Sequence, residues 1–485
     1  MTTEYEKLTI RQVDDVYIKV FCERSVAMEL SEHFTFQVPG AKHMPAFKNK
    51  LWDGKIRLFN LNTQKMYAGL RNYVHEFAKD RGYEVTEESD FTADEFSVVE
   101  ADNFISTLSL PFVPKYYQKD TFIHAIRNKR ALFVSPTASG KSLMIYLITM
   151  YHNRKTLIVV PTTSLVHQLE SDFKVYGIDN GEIHKVFSGQ EKNTDKPITI
   201  TTWQSIYKLP EKWFQQFDVV IGDEAHQFKA TSLVSIMTKM TNTPYRFGFT
   251  GTLDGTETNQ LVLEGLFGPK QDVTTTATLI QEQHLSQFNI KAIVLKHNDA
   301  VCDLLKKSDY RQEIEFLVSN TKRNKFIRNL ALSLEGNTLI LYQFVEKQGK
   351  PLYNDIQSKS GERKVFFIHG GVDSTFREDV RHIVQQENDA IIVASYGTFS
   401  TGINIPRIHN VIFASPFKSK IKVLQSIGRA LRKADDKTLA TLYDIADDMT
   451  WKSRKNLTLQ HFMARIEMYD EQKFDYKIYN VKLGG

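Results

Sequence analysis

The sequence predicts an α/β protein in which a small α+β domain precedes two larger domains, each built on a parallel β-sheet. From residue 131 onward, short apolar runs alternate with helix-length stretches, which is typical of buried parallel strands joined by crossover helices. These runs form two series, and two series indicate two sheets. The length of 485 residues agrees, because a chain of this size is too long for one core and divides into about three domains.

Apolar runs of four to six residues mark the predicted strands. The first five runs fall in a predicted domain at 111–280 and the last five in a domain at 281–450. We expect residues 451–485 to form a helix, Leu457 to Glu471, followed by a tail. The predicted strands are Ala131–Val134, Thr156–Val160, Ile198–Thr201, Phe217–Ile221, Arg246–Thr250, Asn337–Tyr342, Lys364–Ile368, Ala390–Ala394, Val411–Ala414 and Thr441–Ile445.

Residues 1–90 differ in composition from the rest, and we expect them to form the small α+β domain. Between Lys42 and Arg71 there are seven basic residues, one acid and several interleaved aromatics. Such a stretch can bind a polyanion through salt-dependent contacts. The alternative is that the aromatics, Trp52 and Phe59 among them, form a core instead of stacking on bases. The candidate nucleic-acid contacts here are Lys48, Lys50, Lys55 and Arg57.

Residues 84–102 reverse this balance, with eight acids and no Lys or Arg. Like-charged stretches tend to stay solvated and extended. We therefore expect an acidic linker at 91–110, before Pro111 and Pro114 mark the start of the next domain.

Composition excludes several protein classes. No run approaches the roughly 18–20 uncharged apolar residues of a membrane span, and residues 1–10 lack the apolar core of a secretion signal. Two distant cysteines, Cys22 and Cys302, exclude a disulfide framework and a cysteine-rich zinc site, so we expect a protein of the reducing cytoplasm without zinc. The net charge of +5 is too small to indicate a nucleic-acid partner by itself.

The strongest local signal is the octapeptide from Ser135 to Ser142, Ser-Pro-Thr-Ala-Ser-Gly-Lys-Ser, between a predicted strand and an apolar helix. Small residues in this context let backbone N–H groups surround phosphate oxygens at a helix N-terminus. Lys141 would reach the β- and γ-phosphates of ATP, and the Ser142 hydroxyl would ligate Mg²⁺. The usual pattern begins with Gly where this chain has Ser135, so a plain turn before a buried helix is the alternative. The candidate nucleotide contacts in the loop are Thr137, Ser139, Gly140, Lys141 and Ser142.

A second signal is an apolar strand that ends in Asp223 and Glu224. Ligands in open α/β sheets bind at the carboxyl ends of strands. There Asp223 would ligate Mg²⁺, and Glu224 would act as the general base for the attacking water. The alternative is a strand that ends in a solvated acidic turn.

A third signal lies between Lys420 and Lys433, where Leu424, Ile427 and Leu431 share one helical stripe that would face the core. Spacings of four and three residues place a second set on one neighbouring face. Two guanidinium groups one turn apart suit a transferring phosphoryl group, and ordinary surface arginines are the alternative. That set is Gln425, Arg429 and Arg432.

Taken in order, these motifs resemble those of the superfamily 2 helicases of the DEAH type. Tyr116-Tyr117-Gln118 resembles the adenine-side motif, and Asp223-Glu224-Ala225-His226 resembles motif II. The remaining stretches resemble motifs I, Ia, Ib, III, IV, V and VI: 135–142, 160–165, 201–205, 250–252, 341–344, 400–406 and 425–432. Two positions depart from the usual pattern, Asn404 in motif V and Ser426 in motif VI.

The resemblance implies two RecA-like domains, with ATP and Mg²⁺ as cofactors. It adds Gln118 and Gly402 to the nucleotide contacts and assigns catalysis to Lys141, Glu224 and the Gln425, Arg429 and Arg432 set. Threonines at loop ends can donate hydrogen bonds to the phosphates of a strand, although each is alternatively a helix or strand cap. Those threonines are Thr162, Thr163, Thr201, Thr202 and Thr401.

The basic segment between Lys42 and Arg71, together with the helicase motifs that follow it, is further similar to a family of recombination helicases of T-even phages. This similarity implies R-loop unwinding, branch migration and fork regression on single-stranded DNA, branched DNA and DNA–RNA hybrids, in the cytoplasm of a host cell. We expect a monomer and leave an oligomer open. Two alternatives stay open: an annealing protein with a nucleotide-regulated clamp, and a small-molecule P-loop kinase, which gives the second sheet no role. We see no nuclease constellation.

Overall fold

The computed structural model describes residues 7–179, 181–187, 189–227, 230–253, 256–398, 405, 407–416, 423, 426–428, 431, 437 and 439–483, without the side chains of residues 230, 374, 375 and 378. It divides into two compact units. Unit 1 runs to Ser135 and from Gly140 to Val273, and unit 2 holds the loop Pro136–Ser139 and the chain from Thr274. The finer boundaries near 90, 110, 280 and 450 stay predictions.

Unit 1 begins with a small α+β domain, as the sequence predicts. Its sheet has the order β5-β6-β2-β1-β7, in which only the β1–β7 pair is parallel. Leu8, Ile10, Ile18 and Val20 alternate along the first two strands and are fully buried. The elements are β1 Lys7–Gln12, β2 Tyr17–Phe21, α1 Arg24–His33, β3 Thr35–Gln37, α2 Pro45–Lys48, β4 Lys55–Arg57, β5 Phe59–Asn60, β6 Lys65–Tyr67, α3 Arg71–Arg81 and β7 Glu84–Glu87, with β3 and β4 forming a separate antiparallel pair.

The segment at 91–110 is not the extended acidic linker that we expected. It contains helix α4 (Val98–Thr107), which begins at a capping box. The Ser97 hydroxyl accepts from the Glu100 N–H at 3.1 Å, and the Glu100 carboxylate accepts from the Ser97 N–H at 2.6 Å. Phe96 and Ala101 are buried in the core that follows. Local capping and two apolar anchors therefore outweigh the repulsion among the acidic side chains.

The rest of unit 1 is built on a seven-stranded sheet of order β10-β11-β9-β12-β13-β8-β14, and every pair in it is parallel. The five predicted strands are confirmed within two residues at each end. The edge strands β10 and β14 were missed because their sequences, IHKV and KQD, are too polar to read as buried strands. The elements are α5 Tyr116–Asn128, β8 Arg130–Val134, α6 Lys141–His152, β9 Thr156–Val160, α7 Thr163–Val175, β10 Ile183–Val186, β11 Ile198–Thr202, α8 Trp203–Ile206, α9 Glu211–Phe214, β12 Val219–Gly222, α10 Ala230–Met237, β13 Tyr245–Thr250, α11 Glu257–Phe267 and β14 Lys270–Asp272.

Unit 2 holds a second seven-stranded parallel sheet, of order β17-β18-β16-β19-β20-β15-β21. Its five predicted strands are confirmed, and so is the C-terminal helix with the predicted bounds. The tail, for which the sequence predicts no element, forms the edge strand β21, which pairs with β15. The elements are α12 Thr276–Gln281, β15 Gln287–Lys296, α13 Asp299–Leu305, α14 Tyr310–Ser319, α15 Thr321–Ser333, β16 Thr338–Tyr342, α16 Lys350–Gln357, β17 Val365–Ile368, α17 Ser374–Gln386, β18 Ile391–Ser395, β19 Asn410–Phe413, β20 Leu439–Asp448, α18 Leu457–Glu471 and β21 Tyr476–Lys482.

The C-terminal helix of unit 2 is fixed to its sheet by a buried polar cluster. Arg465 on α18 donates two hydrogen bonds to Asp444 on β20, at 2.9 and 2.7 Å, and the Tyr469 hydroxyl donates to the same carboxylate at 2.9 Å. Such a satisfied network holds the helix in one place, whereas a half-satisfied network would destabilise the core. Among the residues described, no helix has the length and low charge needed to cross a bilayer.

Candidate nucleotide and nucleic-acid site

The predicted phosphate loop connects the end of β8 to the start of α6 in unit 1. Gly140 has a φ of +83° and Ala138 a φ of +69°, so the loop passes twice through the left-handed region. A Cβ atom at Gly140 would lie 2.3 Å from Nε2 of Gln118. The Gln118 side chain is buried, and its Oε1 accepts from the Lys115 N–H at 2.9 Å. The glycine thus lets the predicted adenine-side glutamine pack directly against the loop.

The side chain of Lys141, the first residue of α6, extends across the sheet edge to motif II. Its ammonium lies 3.2 Å from Oε1 of Glu224 and donates to the Ser135 carbonyl at 3.4 Å. Both side chains of the ion pair are mostly buried, at 12% and 15% exposed. The structure therefore brings together the lysine and the candidate general base that the sequence places far apart.

Asp223 and Glu224 follow β12, at the carboxyl edge of the sheet. The Asp223 N–H donates to the Val159 carbonyl on the neighbouring strand at 2.9 Å, and the Glu224 N–H donates to the Asp223 carboxylate at 2.9 Å. Burial, together with the adjacent Glu224 charge, raises the pKa of Asp223 to about 7, against the opposing effect of Lys141. A cation bound at this carboxylate would offset the cost of keeping it ionised.

The donor set fits Mg²⁺. Ser142 offers a hydroxyl oxygen at the first turn of α6 and Asp223 a carboxylate oxygen, and Mg²⁺ is usually held by one or two protein oxygens together with water and phosphate oxygens. Within the described ranges, no group of three or more His, Cys, Asp or Glu side chains is arranged to hold a metal ion by itself.

His226 of motif II forms a hydrogen bond with Thr250 of motif III and so connects the two motifs. The Thr250 hydroxyl donates to the Thr252 carbonyl at 2.9 Å, and its oxygen forms a hydrogen bond with Nδ1 of His226, 2.5 Å away. The same nitrogen lies 3.5 Å from Oε2 of Glu224.

The candidate nucleic-acid threonines of unit 1 lie at neighbouring strand ends. Thr202 on β11 is opposite Val160 on β9, and Nε2 of Gln204 donates to the Pro161 carbonyl at 3.1 Å. Thr162 caps α7, its hydroxyl accepting from the Leu165 N–H at 3.4 Å.

The threonines of unit 1 differ in what they offer to a ligand. Thr201 is fully buried, and its hydroxyl donates to the Val186 carbonyl at 2.9 Å, so it is not open to a ligand. Thr202 is buried with its hydroxyl 2.9 Å from that of Ser205, and Thr162 is partly buried at its cap. Thr163 is exposed at the first helical position. The capping alternative therefore describes Thr162, whereas Thr163 is the one open to a ligand.

The basic N-terminal candidates lie in and beside the β3–β4 pair. Lys48, Lys50, Lys55 and Arg57 are all exposed, and Arg57 forms an ion pair with Asp53. Trp52 is half-buried, and its indole N–H donates to the Lys55 carbonyl at 2.8 Å.

Phe59 is 1% exposed in the domain core. The suggestion that it stacks on bases is therefore wrong, because its ring belongs to the folded interior.

Several predicted residues lie outside the part of the chain that the structure describes: Thr401, Gly402, Asn404, Leu424, Gln425, Arg429 and Arg432. Of the predicted apolar stripe, Ile427 and Leu431 are buried. Thr137 and Ser139 lie in the phosphate loop, as the sequence places them.

Three family models match successive parts of the chain. "DNA helicase UvsW, N-terminal" matches residues 7–88, "Type III restriction enzyme, res subunit" matches 111–255, and "Helicase conserved C-terminal domain" matches 321–434. The last two correspond to the two parallel-sheet domains, and the first corresponds to the small α+β domain.

Individual proteins give the same result over greater lengths. The "ATP-dependent DNA helicase uvsW" of Enterobacteria phage T4 is 32% identical over 97% of this chain and 98% of its own. The "DNA 3'-5' translocase XPB2" of Sulfurisphaera tokodaii is 26% identical over 70% of this chain and 84% of its own. The crystal structure of T4 UvsW covers 99% of this chain and 100% of its own, with a TM-score of 0.52. Both parallel-sheet domains are therefore RecA-like, and the chain belongs to the UvsW family of ATP-dependent DNA helicases.

Proposed function

We propose that this ATP-dependent helicase remodels branched nucleic acids: it unwinds R-loops, migrates Holliday junctions and regresses forks. The observation that supports an ATP-driven motor best is the convergence of Lys141, Glu224 and Asp223 at one sheet edge, beside a glycine loop packed on Gln118. The small-molecule kinase alternative is excluded by the family to which the chain belongs.

The proposed nucleotide chemistry uses the groups at this edge. The phosphates of ATP would lie along the backbone N–H groups of the phosphate loop, and the Lys141 ammonium would contact the β- and γ-phosphates. Ser142 and Asp223 would hold Mg²⁺, which would supply charge neutralisation on the phosphates.

The Lys141–Glu224 ion pair gives this site a way to respond to ATP. A γ-phosphate that attracts the Lys141 ammonium draws it away from Glu224. The freed carboxylate then orients and deprotonates the attacking water, which is the role of a general base. Without a nucleotide, the ion pair would therefore hold the Glu224 carboxylate to Lys141 and prevent it from acting as a base.

The second RecA-like domain completes the proposed mechanism. Gln425, Arg429 and Arg432 would stabilise charge on the transferring phosphoryl group, and Gly402 would contact the nucleotide. The helicase resemblance assigns motif VI to the second RecA-like domain and Lys141 to the first, and hydrolysis would drive movement along a strand.

Nucleic-acid contacts are proposed at two places. Thr163, with Thr162, Thr202 and Thr401, would contact the phosphates of a single strand without reading its sequence. Lys48, Lys50, Lys55 and Arg57 would contact a duplex arm of a branched substrate through counterion release. We propose that the protein acts on single-stranded DNA, branched DNA and DNA–RNA hybrids as a monomer in the host cytoplasm.

A substrate panel tests the proposal. Forks, Holliday junctions, R-loops and blunt duplexes are each incubated with ATP or with a non-hydrolysable analogue, and strand products are resolved on gels. We expect the branched substrates and R-loops to be converted with ATP and left intact with the analogue. Equal conversion with the analogue would instead indicate an annealing protein with a nucleotide-regulated clamp.

A further inference from the structure

Ser142, the hydroxyl that would ligate Mg²⁺, is hydrogen-bonded to a residue that sequence analysis did not single out. Its Oγ lies 2.9 Å from the hydroxyl of Tyr176, which directly follows α7 in unit 1. Tyr176 is 8% exposed, and no helicase motif of the sequence includes it. Helix α7 thus ends against the metal-binding turn of α6.

The Tyr176 ring is held on several sides. The Tyr146 hydroxyl, one turn after Ser142 on α6, donates to the Tyr176 carbonyl at 3.0 Å. The rings of Tyr146 and Phe112 meet that of Tyr176 edge-on, with centroids 5.3 and 5.7 Å away. The position of the Tyr176 oxygen beside Ser142 is therefore fixed by packing and does not depend on one contact.

Hydrogen positions give this contact a chemical role. A serine that ligates Mg²⁺ gives a lone pair to the cation, so its own proton has to point to an acceptor elsewhere. The Tyr176 oxygen is such an acceptor at hydrogen-bond distance from Ser142. We propose that Tyr176 is a positioning residue for Mg²⁺: it accepts the Ser142 hydroxyl proton and so aims the serine lone pair at the metal. This inference rests on the proposed nucleotide site.

Tyr176→Phe removes the acceptor and keeps the ring. The full-length protein is titrated with Mg²⁺ in the presence of a fluorescent ADP analogue, starting from EDTA. In EDTA, we expect Tyr176→Phe to bind the ADP analogue with wild-type affinity. The Mg²⁺ concentration that gives half of the maximal increase in this affinity should rise roughly 3- to 10-fold in the variant, as for the loss of one hydrogen bond. An unchanged Mg²⁺ midpoint would overturn the inference.

Two further variants separate metal positioning from packing. Tyr146→Phe removes a neighbouring hydroxyl that bonds to a carbonyl and not to Ser142, so its Mg²⁺ midpoint should stay at the wild-type value. Ser142→Ala should raise the midpoint, and adding Tyr176→Phe to it should change nothing further. Equal shifts in the two tyrosine variants, or additive shifts in the double variant, would leave Tyr176 a packing residue only.

The failure of this inference is distinguishable from failure of the proposed function. Wild-type protein whose nucleotide affinity does not respond to Mg²⁺ at all would contradict both the site and the role of Tyr176. Wild-type protein that responds, with Tyr176→Phe responding identically, would contradict the role of Tyr176 alone.

Discussion

The ammonium of Lys141 and the carboxylate of Glu224 form a largely buried ion pair, 3.2 Å apart, that joins the phosphate loop to motif II. In the mechanism that we propose, Lys141 binds phosphate and Glu224 activates water. The ion pair would restrain both side chains until a nucleotide is bound. The pair therefore makes separate predictions for binding and for hydrolysis.

Glu224→Gln should separate these two steps. The amide keeps the shape of the side chain but neither attracts the lysine as an ion nor accepts a proton from water. We expect ATP affinity to be kept or improved, and the hydrolysis rate to fall by about 10²- to 10⁴-fold. Fluorescent-nucleotide binding and a phosphate-release assay measure the two effects, and a variant that hydrolyses ATP normally would remove Glu224 from the mechanism.

Gly140→Ala should weaken nucleotide binding by displacing the Gln118 amide and straining the loop. Its new Cβ would lie 2.3 Å from the buried Gln118 amide, in addition to the roughly 1–2 kcal/mol cost of a left-handed alanine. Gly82→Ala is the matched control, because Gly82 has a φ of +72° and a Cβ added there would meet no atom within 4 Å.

Both glycine variants are compared by thermal unfolding and by ATP affinity. A similar small loss of stability in both, with ATP binding intact in Gly140→Ala, would contradict the account of the loop.

Arg429→Ala tests the role assigned to motif VI from the sequence. We expect ATP binding to persist and hydrolysis to drop by about 10³-fold or more, as for the loss of an arginine finger. Single-turnover measurements with saturating ATP isolate the chemical step. Hydrolysis within about twofold of wild type would show that this arginine does not stabilise the transferring phosphoryl group.

A quadruple Ala variant at Lys48, Lys50, Lys55 and Arg57 should weaken fork binding more than single-strand binding. Each lost phosphate contact should lower the slope of log K against log salt by about 0.9 on duplex DNA. Substitution is preferable to deletion of residues 1–90. The Tyr73 hydroxyl bonds to Glu264 at 3.2 Å, and a Cβ at Gly69 would lie 1.9 Å from the Glu264 carbonyl oxygen, so a deletion would expose the core.

The control for this variant removes the same charge elsewhere, by Ala substitutions of the exposed lysines Lys174, Lys306, Lys359 and Lys455. It should leave the preference for forks intact. Equal losses on forked and single-stranded DNA in the basic variant would contradict a branch-specific contact.

The sequence was sufficient for ten strands of the two parallel sheets, because a buried parallel strand needs a continuous apolar run. It was insufficient at the sheet edges, where β10, β14 and β21 have one open side and tolerate polar residues. It also missed the interior strand β15, because exposed polar and buried apolar residues alternate along its first half. The charge of the acidic segment predicts an extended linker, but the Ser97–Glu100 capping box begins a helix there.

The candidate site shows a similar division. The sequence patterns around Lys141, Asp223 and Glu224 predict the chemistry proposed for them. The fold brings these residues to the predicted carboxyl edge of the sheet. Tyr176 lies in no motif, and only the packing of α7 against α6 places it at Ser142. No signal in the sequence separates this tyrosine from the other core tyrosines of the chain.

The most direct test of the motor mechanism is the rate of ATP hydrolysis with and without single-stranded DNA, measured for wild type and Lys141→Ala at matched DNA binding. We predict DNA-stimulated hydrolysis in wild type and a loss of about 10²-fold or more in the variant, with DNA affinity retained. A surface lysine variant, Lys306→Ala, serves as the control. Normal DNA-stimulated turnover by Lys141→Ala would contradict the central claim that this lysine binds the nucleotide phosphates.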